Sequence, residues 1–87
     1  MNIYRANFFA RCPSNGNVIS YALAIHTGAT VMVEEILEEL DTIREGYHEA
    51  IADQLCAKFG GSQRLVAQHH GVEIETIRPH LAHWASA

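Results

Sequence analysis

Positive charge is scarce in this chain: six lysines and arginines stand against ten aspartates and glutamates among 87 residues. A protein that tracks a phosphate backbone carries more basic charge than that, so the composition disfavours a dedicated nucleic-acid binder. Cysteine is nearly missing too. Cys12 and Cys56 make no CxxC pair, which excludes a disulfide-dense scaffold and a zinc-ribbon pattern and leaves two reduced, partly buried thiols as the expectation. No apolar run approaches the roughly 20 residues needed to cross a bilayer. The opening MNIYRANFFAR is interrupted by polar residues from the start and lacks the apolar block of a signal peptide. A cytoplasmic protein with no membrane partner is expected. Internal repeats, linkers and low-complexity tracts are absent as well, so residues 1–87 read as a single domain with one modest core.

What is there is strongly patterned. Acidic charge is concentrated in the middle, where Glu34, Glu35, Glu38, Glu39, Asp41, Glu45, Glu49 and Asp53 face only Arg44, while both ends are weakly basic. Residues 3–11 alternate, with Tyr4, Ala6, Phe8 and Ala10 on one face. Pro13-Ser14-Asn15-Gly16-Asn17 is a turn, and from Val18 alternation resumes with Ile19, Tyr21, Leu23 and Ile25. The pattern predicts a β-hairpin over about 3–26. Thr30 is then a candidate helix cap. Val33, Ile36, Leu37, Leu40, Ile43, Tyr47, Ile51, Leu55 and Phe59 recur at steps of three and four, the period of an amphipathic helix. This predicts a helical region over about 31–59, as one long helix or two consecutive ones broken near Gly46, and stopped by Gly60-Gly61.

Residues 60–84, GGSQRLVAQHHGVEIETIRPHLAHW, support two incompatible readings. As helices, Ser62, Ala67, Gly71, Val72, Ile77 and Leu81 resemble a helix-turn-helix over 62–84, with Arg64, Gln68 and Arg78 as DNA-contacting candidates. As a strand over about 64–78, Val72, Ile74 and Thr76 alternate with Glu73 and Glu75. Pro79 would cost a second helix about 3 kcal/mol, whereas it ends a strand acceptably. A sheet of only two strands is marginal. The strand is therefore the preferred reading, with residues 79–87 as a tail or short helix from which Trp84 folds back onto the core. The fold class expected is α+β: an N-terminal hairpin, one or two helices, and a third strand in an antiparallel sheet under one helical layer. A hairpin followed by a helix-turn-helix is the alternative.

The segment HEAIADQLCAKF followed by GVEIETIRP is similar to the helix-to-strand passage of the pterin- and purine-binding tunnelling-fold proteins. The likeness covers about thirty residues. It implies that family's architecture, sheets joined between subunits into barrels, and a heterocycle anchored by a glutamate, a part that Glu73 or Glu75 would take here.

No catalytic signature stands out, and an enzyme is not expected. Cys12, beside the hairpin turn, reads as exposed and without a base; Cys56 lies near the buried stripe and reads as inert. Tyr47-His48-Glu49 fan out at about 100° per residue on a helix and do not converge. His80 and His83 are weak metal candidates, since spacing fixes no third ligand, and no cofactor is expected. The main functional expectation is a small non-enzymatic accessory protein of bacterial or mobile-element type. Its acidic face of Glu34, Glu35, Glu38, Glu39, Asp41 and Glu45 would meet a basic protein. A DNA-binding regulator is the alternative, and a purine- or pterin-like small-molecule binder at a subunit interface a further one. An open sheet edge and an exposed face bearing Phe9, Val18 and Ala24 lead to the expectation of a homodimer.

Overall fold

A computed structural model describes residues 1–79. Alternation of apolar and polar residues builds a first strand, β1 (Asn2–Arg11), which pairs antiparallel with β2 (Val18–Thr27). Two helices follow, α1 (Val33–Thr42) and α2 (His48–Phe59), and then two more strands, β3 (Ser62–His69) and β4 (Val72–Arg78). The sheet order is β1-β2-β3-β4 with every neighbour antiparallel. The α+β class, the N-terminal hairpin and the pair of helices are as the sequence implied.

The single third strand expected over 64–78 is in fact two strands. His70 and Gly71 both take positive φ, 53° and 84°, and His69 pairs with Val72 across them. That is the two-residue connection whose twist matches paired strands, so the stretch folds back on itself where a bend in one long strand was expected. The same strands remove the helix-turn-helix over 62–78: alternating burial on β3 and the β-branched run of β4 outweigh the helical spacing of Ala67, Gly71 and Val72. Leu81, His80, His83 and Trp84 lie outside the described residues.

Register aligns one face of the sheet into rows. Phe8 pairs with Tyr21, Tyr21 with Ala67, and Ala67 with Ile74; Ala6, Leu23, Leu65 and Thr76 form the next row. The helices bury Ile36, Leu40, Ile51, Ala52 and Leu55 against this face, joined by Ile43 just beyond the end of α1. Tyr21, Ile25, Ile51, Leu55 and Leu65 are its largest fully enclosed side chains. Removing apolar surface of this kind from water stabilises the fold by roughly 25 cal/mol per Å². Val33, Leu37 and Tyr47 fell on the predicted stripe yet are exposed, because the stripe is split between two short helices.

Helix ends are satisfied in ways the sequence did not announce. Met32, not Thr30, is the residue before α1, and it makes no side-chain cap. Gln63, buried on β3, donates its amide to the carbonyls of Leu55 and Gly60 at 3.0 and 2.7 Å, closing the end of α2. At the opposite end of the sheet the α1–α2 connector is tied to β1: Arg11 N–H donates to Arg44 O (2.9 Å) and Gly46 N–H to Arg11 O (3.1 Å). A Cβ at Gly46 would come to 3.2 Å from the Ile51 side chain, which would have to shift by a few tenths of an ångström to admit it.

Candidate functional site

Three chain connections meet at the end of the sheet where β1 stops. The first is the β1–β2 turn, organised around Cys12. Its N–H donates to Asn17 O at 2.9 Å, its carbonyl accepts from Gly16 N–H at 2.8 Å, and Asn15 accepts from Asn17 N–H. The second is the α1–α2 connector, which the ties to Arg11 hold beside that turn and which delivers Gly46, Tyr47 and His48. The third is the His70–Gly71 turn, where His70 Nε2 lies 3.4 Å from the Asn15 amide. Between them lies a cavity of about 160 Å³ whose chemistry-bearing walls are Cys12, Tyr21, Tyr47, His48 and His69.

Cys12 was expected at the surface, but it is buried, with only 7% of its surface exposed. Its Sγ lies 3.1 Å from the Ser14 hydroxyl. Hydrogen bonds from the Ser14 side chain and from the Ser14 and Asn15 backbone hold the thiol pKa below its ordinary value, against partial desolvation and the charge of Glu45. Tyr21 packs flat on Phe8 with ring centroids 5.0 Å apart, and its ring also lies 5.6 Å from that of His48, tilted by 39°. Burial and the nearby Cys12 thiol push the Tyr21 phenol up. Burial likewise pushes the His48 pKa down, with Arg78 adding to it and Glu49 and the Leu65 backbone opposing. His48 is thus held as a neutral imidazole. Both of its ring nitrogens, and Nε2 of His69, are buried with no partner at ordinary hydrogen-bond distance, although the Leu65 backbone still acts on His48.

A thiol beside two imidazoles can hydrogen-bond a polar heterocycle. Among the described residues no group of three His, Cys, Asp or Glu side chains could hold a metal ion.

The residues singled out from sequence are dispersed. Glu34, Glu35, Glu38 and Asp41 are exposed on α1, and Glu45 is exposed in the connector. Glu39 is half-buried and accepts from the Gln54 amide at 2.9 Å. Arg64 and Gln68 lie on the sheet face away from the helices, where Arg64 approaches Glu75 at 3.5 Å and Gln68 donates to Glu73 at 2.8 Å. Arg78 points the other way and clamps α2 through Asp53 (2.8 Å) and Glu49 (3.4 Å). These three are therefore not one DNA-facing surface. In Tyr47-His48-Glu49, Glu49 does diverge to Arg78, but Tyr47 and His48 both reach the cavity. From sequence Cys12 and His48 were weighed separately and His69 was not singled out; the fold brings the three together.

The fold and cavity define a small α+β protein with a thiol–imidazole pocket. Its fold is that of the archaeosine synthase QueF-Like, whose apo crystal structure superposes with a TM-score of 0.64 at 20% identity, covering 87% of this chain and 88% of that one. No family model matches the chain, and neither does any curated protein.

Proposed function

We propose that the protein binds a purine- or pterin-like heterocycle in the Cys12–His48–His69 pocket. The observation that carries this reading is the convergence of a buried, acidified thiol and two partnerless imidazoles on one cavity beside the Tyr21–Phe8 stack. A largely apolar cavity with a few convergent polar groups and a perturbed pKa is the usual form of a ligand site. Two likenesses support it: that of HEAIADQLCAKF and GVEIETIRP to the tunnelling-fold proteins, and that of the fold to an archaeosine synthase.

Exposed apolar surface at the pocket mouth favours assembly as well. Tyr47 is 59% exposed, Val72 61% and Ile74 38%, and Val72 and Ile74 belong to the open edge strand β4. A second copy covering this edge would enclose the site, which is the form in which the expected homodimer enters the account. The acidic face of α1, with Glu34, Glu35, Glu38 and Asp41 all exposed, stays a separate candidate surface for a basic protein partner.

A thermal-shift screen of purines and pterins tests the proposal. It expects at least one compound to raise the melting temperature of the wild type and not that of Cys12→Ala/His48→Phe. A screen without any stabilising heterocycle would refute it.

A further inference from the structure

We propose that the open edge of β1, beside α1, takes up an extended segment of another protein as an added strand, and that this segment alternates basic with apolar residues. The site shares no lining residue with the Cys12 pocket. It therefore stands apart from the heterocycle reading, and it gives the acidic face of α1 a partner of defined form.

Register leaves this edge ready to pair. Arg11 turns its N–H and its carbonyl away from β2, to Arg44 and Gly46. Backbone groups alternate in direction along an antiparallel strand, and β1 pairs with β2 without a bulge, so Ile3, Arg5, Asn7 and Phe9 turn theirs the same way. All four residues are exposed, and among the described residues none of those outward N–H or C=O groups has a partner. Proteins blunt such edges with lysine, proline, a bulge or a very short strand. β1 has ten residues and none of these devices, which is the form of edge that accepts an extended peptide.

Side chains decide what pairs. On the helix side, a groove of about 430 Å³ runs between β1 and α1 over Phe8, Leu37 and Leu40, and a recess of about 120 Å³ continues it past Leu37 to Ala6 and Val33. Glu34, Glu38 and Asp41 each lie one helical position beyond Val33, Leu37 and Leu40, along the outer rim of that groove. Glu34 and Glu38 are exposed, and among the described residues neither has an ion-pair partner; Asp41 has only Arg44, 3.6 Å away. A lysine or arginine in the added strand lays its aliphatic stem on Leu37 and brings its charge to this rim. The opposite face of β1 has the other sign, with Arg5 and Arg11 exposed there beside Phe9. Apolar residues suit that side and basic ones do not, so charge fixes the register of the added strand. A second copy of this chain fits less well. Its α1 would bring Glu34, Glu38 and Asp41 to the same rim, and its β4 would bring Glu49 and Asp53, the α2 carboxylates that Arg78 holds.

Titration of the ¹⁵N-labelled protein with the end-capped peptides VKVKVKV and VEVEVEV tests this. The lysine peptide should shift the signals of Phe9, Leu37 and Arg44 saturably. Its affinity should exceed that of the glutamate peptide by about tenfold or more at low salt, with the difference shrinking as salt rises. A lysine peptide N-methylated at every amide, which has lost its donors, should not bind. Replacing the rim together, Glu34→Gln/Glu38→Gln/Asp41→Asn, should remove the preference for lysine over glutamate, and circular dichroism confirms that this variant is folded. Equal affinity for the two peptides would overturn the basic partner. No shift at Phe9, Leu37 and Arg44 would overturn strand addition. Shifts there that depend on protein concentration without any peptide, together with a dimer in sedimentation, would give the edge to a second copy and overturn the proposal. Heterocycle binding is read at other residues and stands or falls separately.

Discussion

Replacing His48 by phenylalanine should make this protein more stable and less functional at once. The imidazole is half-buried between the Tyr21 ring and the cavity, and neither nitrogen has a partner at ordinary hydrogen-bond distance. A buried polar group left unpaired costs about 1–3 kcal/mol. Phenylalanine keeps the planar contact with Tyr21, its extra volume has the 160 Å³ cavity to enter, and it removes both unmet groups. A gain of about 1 kcal/mol or more is expected, corresponding to a rise of about 4–8 °C in melting temperature for a domain of this size. The pH dependence gives a second signature. Burial holds the His48 pKa below its ordinary 6.5, so in acid the unfolded chain binds a proton there that the folded chain does not. The wild type therefore keeps its full stability above about pH 6.5 and loses it progressively as pH falls toward the folded-state pKa. His48→Phe should lack that part of the acid destabilisation. Urea unfolding of both proteins between pH 8 and 5 reads both effects. A variant less stable than the wild type at pH 8, or one with an unchanged acid profile, would refute the reasoning.

Three further outcomes follow from the geometry. Cys12, held by Ser14 and lining an accessible cavity, should react with iodoacetamide at neutral pH faster than Cys56, and peptide mapping after brief labelling distinguishes them. Gly71→Val places a β-branched residue at φ 84° and should cost about 1–2 kcal/mol or more in urea unfolding, mainly by loosening the β3–β4 hairpin. Arg78→Ala breaks the links from β4 to Asp53 and Glu49. Because both carboxylates are largely exposed, the loss should stay near 1 kcal/mol and shrink in high salt.

Much of the fold was legible because it rests on periodicity. Alternation placed Tyr4, Phe8, Tyr21 and Leu23 on the inner face, and the three-and-four spacing found Ile36, Leu40, Ile51 and Leu55. The fourth strand was missed because its turn, His70-Gly71, pairs glycine with a histidine at positive φ where the strongest hairpin signal would be asparagine or aspartate. The site was not legible at all. Cys12 read as exposed because nothing in Cys12-Pro13-Ser14 reveals that the Arg11–Arg44 and Gly46–Arg11 hydrogen bonds draw a distant connector over it. His48 was set aside on the sound rule that adjacent helical residues diverge. Its partners come from other elements, Cys12 from the β1–β2 turn and His69 from β3, far apart in the chain. Gln63 likewise read as a polar strand residue, and only its place under the end of α2 explains its burial.

The central claim is that the Cys12–His48–His69 cavity is a binding site for a flat heterocycle, and its most direct test is residue-resolved. In a ¹H–¹⁵N titration with hypoxanthine, the backbone signals of Gly46, Tyr47, His48, Ala67, His69 and Ile74, which line the cavity, should shift together and saturably. Signals in the groove between β1 and α1, at Phe9, Leu37 and Arg44, should stay in place. No shift at saturating ligand, or shifts confined to that groove, would contradict the account.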